Sequence, residues 1–174
     1  ESGASNDFVD KYLLIKPSTA HYELGNFTKE FGGHMHMFKF NVGVDSATNS
    51  QTTETFDSRS ASDPLAVQNP AMHWSWNSGY IFIKIDAMID TTGDGTVDAP
   101  AEFHIGMSSM SRSISIMAHS DLNKGENDFH LNLDVAALFT DVDFVNEGST
   151  HTMDNMPLAM KIANNLATAF SKAD

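Results

Sequence analysis

Between His34 and Val44 the chain alternates. His34, His36, Phe38, Phe40, Val42 and Val44 fall on one side of an extended segment, and Met35, Met37, Lys39, Asn41 and Asp45 on the other. A period of two predicts a β-strand, here with two imidazoles on its apolar side. Alternation returns where Ile81, Ile83, Ile85 and Ile89 are set against Tyr80, Phe82, Lys84 and Asp86. It recurs in Glu102–Gly106, in Ser113–Ile116 and in Asp128–Val135, where Phe129, Leu131, Leu133 and Val135 oppose Asp128, His130, Asn132 and Asp134. These segments read as half-buried antiparallel strands. The short apolar run Tyr12–Ile15, stopped by Pro17, reads as an edge strand.

Two stretches break the pattern. Residues 46–69 are rich in Ser, Thr, Asp, Asn and Gln without an apolar period, the composition of a long surface loop. At the far end the period lengthens: Asp154 or Asn155 can cap a helix that accepts Pro157 in its first turn, with Ala159, Ile162, Ala163, Leu166 and Phe170 along one face. Short strands with one late helix and no alternating βαβ order predict an all-β antiparallel β-sandwich, with a long loop and one C-terminal amphipathic helix. Residues 1–10 are small and polar and read as a flexible leader; residues 11–174 read as a single domain.

Charge and composition narrow the chemistry. With 10 Lys+Arg against 23 Asp+Glu, the net charge of −13 repels phosphate backbones and anionic headgroups, which disfavours nucleic-acid and membrane-surface partners. No apolar run approaches the ~18 residues of a membrane span. The absence of Cys removes thiolate metal sites, disulfides and cysteine nucleophiles together. The 8 His and 10 Met are the donors left for a soft or borderline metal, and both types suit copper. Met also fills cores without any metal.

Three segments concentrate candidate ligands. In His34-Met35-His36-Met37 a strand sends both imidazoles to one face and both thioethers to the other, so the two histidines make half a site, or plug the rim of the sandwich. Met72-His73-Trp74-Ser75-Trp76 joins one imidazole to two indoles on the opposite face, an arrangement that serves equally as a core anchor. In Asp90–Asp98 the oxygen donors Asp90, Thr92, Asp94 and Asp98, the Thr96 carbonyl and Gly95 match a calcium-loop spacing, but Ala101 stands where the closing Glu belongs. That loop is a candidate for Ca²⁺, and equally an acidic hairpin tip that uses Asp and Gly for turn geometry. No nucleophile elbow, phosphate-cradling loop or zinc-protease helix is present, so no catalytic residue is named.

The blocks Asn41-Val42-Gly43-Val44-Asp45-Ser46, Met72–Phe82 with its Met-x-Trp-x-Trp and Gly-Tyr, and Phe103-His104-Ile105-Gly106 resemble, in order, the signature blocks of the MbnP-like proteins. These are periplasmic or surface copper-binding β-sandwich proteins related to MopE and CorA. The resemblance implies a copper site built from histidines, with His104 at the His-x-Gly position. It also implies that Trp74 or Trp76 is open to oxidation to kynurenine by a di-haem peroxidase-like partner. His34 and His36, together with His73 and Met72, are expected to complete or line the site.

The leading expectation is thus a non-enzymatic exported protein, periplasmic or attached to the outer membrane or cell surface, which holds Cu⁺ or Cu²⁺ for acquisition, storage or delivery. The alternative is a calcium-stabilised β-sandwich that binds a glycan or another surface protein.

Overall fold

The computed structural model describes residues 11–26, 33–74 and 79–173. The expected leader, residues 1–10, and Trp76 lie outside the described residues. Ten elements follow in order: β1 (Gly33–Val42), α1 (Ser46–Asn49), α2 (Thr53–Asp57), β2 (Ile81–Ile89), β3 (Ala99–Gly106), β4 (Arg112–Leu122), β5 (Leu131–Leu133), β6 (Ser149–Thr150), α3 (Met156–Ala169) and β7 (Phe170–Lys172). Among the described residues the strands pair in three small sheets. β1 runs antiparallel to β4; β2 runs antiparallel to β3, which takes β6 in parallel on its other edge; β5 runs antiparallel to β7. The fold is β-rich with three helices, and none of its described helices is long and apolar enough to cross a membrane.

One core joins these pieces. Phe103 and Ile105 of β3, Ile114, Ile116 and Ala118 of β4, and Leu158, Ala159, Ile162, Ala163 and Leu166 of α3 are all buried. The alternation read in the sequence is the reason: each strand turns one row inward and leaves its polar row in solvent. Helix α3 starts where its cap predicts, with the Asn155 side chain accepting from the Leu158 N–H at 3.2 Å. It buries Ala159, Ile162, Ala163 and Leu166 of the expected stripe, while Phe170 falls past its end in β7 and is half-buried.

Three sequence expectations are corrected. Residues 46–69 are not one featureless loop: Asp45 and Thr52 cap the short helices α1 and α2, and Phe56 and Leu65 are buried beneath them with Val44 and Tyr80. Too few apolar residues stand there to show a period, yet the caps set the turns. Tyr12–Ile15 forms no strand; the Tyr12 hydroxyl instead donates to the Asp45 carboxylate. That bond, with the Thr48 backbone N–H next, holds Asp45 down at about 2. Asp128–Val135 shortens to Leu131–Leu133, because its pairing partner β7 is only three residues long.

Candidate metal-binding sites

The signature segments fold against one another. Backbone bonds from Trp74 N–H to the Gly79 carbonyl (3.1 Å) and from Ile81 N–H to the Met72 carbonyl (2.9 Å) lay the Met72–Trp74 segment beside the start of β2. The Trp74 ring then covers Gly106 at the end of β3, where a side-chain carbon would stand 2.5 Å from the ring. Only glycine admits this approach. Within this contact the indole Nε1 of Trp74 is buried and has no hydrogen-bond partner among the described residues.

Two residues before Gly106, His104 projects from the face of β3 opposite Phe103 and Ile105. Its Nε2 lies 2.6 Å from Asp86 Oδ1 on β2, and its ring meets that of His151 edge to face, with 4.8 Å between centroids. His151 follows β6, whose parallel pairing with β3 (Glu102 with Ser149, Phe103 with Thr150) carries it to His104. The His151 Nδ1 is 2.9 Å from Asp154 Oδ2 and its Nε2 3.6 Å from Glu102 Oε2. Beneath them the fully buried Thr152 hydroxyl donates to the His104 carbonyl (3.0 Å) and accepts from the Gly106 N–H (2.9 Å). That pins the segment carrying His151 to the segment carrying His104.

This cluster therefore offers two imidazoles ringed by Asp86, Glu102 and Asp154. At His104 the carboxylate on Nε2 fixes the tautomer and leaves Nδ1 with its lone pair, the usual support of a metal-binding histidine, whereas His151 has a carboxylate facing each ring nitrogen. Imidazole with carboxylate fits a borderline divalent ion such as Cu²⁺. His151 was missed by the sequence reading, since nothing in its own segment marks it.

The remaining expected ligands sit elsewhere. His34 and His36 come together on β1 with His119 of β4, a residue the sequence did not single out. One ligand nitrogen from each ring lies within 4.8 Å of the others. Neither His104 nor His73 joins them there. His73 packs against Phe56 and Tyr80, at 4.5 and 5.0 Å between centroids, and burial pushes its pKa down. Met72 is half-buried at the start of the same segment.

The Asp90–Asp98 tip is closed by its own backbone. Asp90 accepts from the N–H groups of Thr92, Gly93 and Gly95, Asp94 from Thr96, and Asp98 from Thr91. The Gly95 N–H, ahead of the others, draws Asp90 below the usual carboxylate range. Among the described residues, three His, Asp or Glu ligand atoms gather within 4.8 Å at His34/His36/His119 and at His21/Glu126/Asp128, and neither at this tip nor at the His104/His151 face.

Comparison with known proteins places the chain in a family. The MbnP family model matches residues 1–156, which spans all three signature blocks and reaches past His151. The chain belongs to the MbnP family. None of the curated proteins and none of the solved structures matches it. The matched span includes both the His104/His151 face and the His34/His36/His119 group.

Proposed function

We propose that this MbnP-family chain is an exported, non-catalytic protein that holds copper for acquisition, storage or delivery. The cargo would sit at the face shared by His104 and His151. One observation carries the reading: the His-x-Gly histidine is not alone, but stands 4.8 Å, ring to ring, from a second imidazole with carboxylates on both. With no Cys in the chain, these nitrogens supply the binding without a thiol to oxidise, which suits an oxidising envelope compartment. Asp86 orients the His104 ring and Asp154 the His151 ring, and binding would turn the His151 ring away from Glu102 to free Nε2. The acidic surface attracts cations to the molecule's vicinity without choosing among them.

Oxidation of Trp74 or Trp76 to kynurenine by a di-haem peroxidase-like partner belongs to the same reading. Mass spectrometry of the peptide containing both, taken from native cells, detects it.

The test is a titration of the full chain with Cu²⁺, and anaerobically with Cu⁺ against a competing chelator, beside the double variant His104→Asn/His151→Asn. The wild type is expected to bind one equivalent more than the variant. Equal stoichiometry and affinity in the two proteins would reject this site.

A further inference from the structure

The sheet register places an extra residue where three histidines meet. Met35 pairs with Ser120 and Met37 with Met117, so one residue of β1, His36, faces two of β4, Ala118 and His119. This is a β-bulge, and its consequence is a change of face. Along β4, Ile114, Ile116 and Ala118 point inward and are buried, while Ser113, Ser115 and Met117 are exposed. Strict alternation would send His119 outward with the second set. The inserted residue brings it to the side of His34 and His36, at the end of the ribbon, where all three rings are exposed. There its ring lies 5.8 Å from both His34 and His36, which are 4.8 Å from each other, centroid to centroid.

His119 sits at φ +44°, in the left-handed region. An L residue is uncommon there, and Gly or Asn would occupy it at lower cost. His is among the non-glycine residues that adopt this region most readily, so the bulge can carry the ring toward His34 and His36 at modest cost. A second feature agrees. His34 Nδ1 lies 2.8 Å from Asp121 Oδ1, on the residue directly across the ladder, so that an Nδ1–H donated to the carboxylate leaves Nε2 with a free lone pair. His36 and His119 make no hydrogen bond among the described residues, and their described contacts are with the rings of this cluster.

We propose that His34, His36 and His119 form a second metal site, separate from the His104/His151 face, which takes a borderline first-row divalent cation. The donor set is three imidazoles with no carboxylate or thiolate among the ligands. It favours Cu²⁺ over Zn²⁺ and rejects Ca²⁺ and Mg²⁺, which require oxygen. Nitrogens at ~2.0–2.1 Å from a tetrahedral ion stand ~3.4 Å apart, so closing from the observed spread takes side-chain rotation on exposed rings and no backbone change. Three protein ligands leave a fourth position open to water or to an incoming ligand.

The site does not depend on the function proposed above, and its test is run where that function has been removed. In the His104→Asn/His151→Asn background, Zn²⁺ and Cu²⁺ are titrated into the full chain by calorimetry, and the Cu²⁺ form is examined by electron paramagnetic resonance. One equivalent is expected to bind, with nitrogen coupling from the imidazoles. Adding His119→Asn is expected to weaken binding at least ~10-fold while the melting temperature holds or rises, because Asn suits the left-handed position. His36→Asn is expected to weaken it equally. Failure of the background protein to bind either ion, or an affinity unchanged within about twofold on His119→Asn or His36→Asn, would overturn the proposal. Failure of the His104/His151 reading would show instead as a double variant that retains every equivalent of the wild type.

Discussion

His73 shows how a single residue can carry metal-ligand chemistry and spend it on packing. Its imidazole packs at a tilt on Phe56 and edge to face on Tyr80 over the small core beneath α1 and α2, and burial lowers its pKa. The sign follows from linkage. A histidine with a depressed folded-state pKa contributes stability that is complete above the unfolded value of ~6.5, and that is lost as pH falls toward the lower folded value. The variant His73→Phe retains an aromatic ring against Phe56 and removes the proton site. Melting curves recorded from pH 8 to pH 5 should show wild type and variant offset by a constant above ~6.5, with the wild type losing ground below it. Parallel curves across the whole range would show that His73 does not titrate in that environment.

At the same scale, the two histidines the sequence did not reveal were hidden for different reasons. The face of His119 is set by an inserted residue in the ladder, which alternation counting cannot see. His151 owes its place to a two-residue parallel pairing between segments far apart in sequence. Both positions are long-range facts, whereas His34 and His36 share a face by local geometry and were legible at once.

Among the elements, the β2–β3 hairpin is what organises the signature blocks, and Gly106 is its tightest point. A methyl group there would meet the Trp74 ring at 2.5 Å and also press on the Tyr80 carbonyl. Neither can retreat freely, since Trp74 is bonded back to Gly79 and Gly106 is paired with Ile81. Gly106→Ala is expected to destabilise the protein by about 1–3 kcal/mol, the usual cost of overpacking. It should also shift the tryptophan fluorescence as Trp74 is displaced. Chemical denaturation checks the first effect and emission spectra the second; a variant equal to wild type in both would mean that the close approach has no energetic weight.

The elements also show what period counting captures. Strands β1 to β3, the Ser113–Ile116 part of β4 and helix α3 were legible from their apolar rows and, for α3, from a capping residue followed by Pro157; the rest of β4, to Leu122, was not. Helices α1 and α2, of four and five residues, are too short for any period. They are held by caps and by a handful of buried side chains, of which Phe56 and Leu65 looked isolated in the sequence. The Tyr12 segment failed as a strand because its tyrosine is engaged by a carboxylate and its backbone finds no ladder among the described residues.

On the scale of the whole molecule, a Cys-free chain of net charge −13 keeps two groups of imidazoles near its surface, one on the β1–β4 ribbon and one on the β2–β3–β6 sheet. The core of β3, β4 and α3 lies beneath the second group, whereas the first stands on exposed rings at the end of the ribbon. The parallel pairing of β6 with β3 assembles the second group, and the bulge in β4 the first. The measurement that bears most directly on this account is the metal content of the protein recovered from its natural cells, with the envelope and cytosolic fractions analysed separately. At least one copper per chain, in protein found in the envelope fraction, is the predicted result. Protein recovered without copper, or confined to the cytosol, would contradict it.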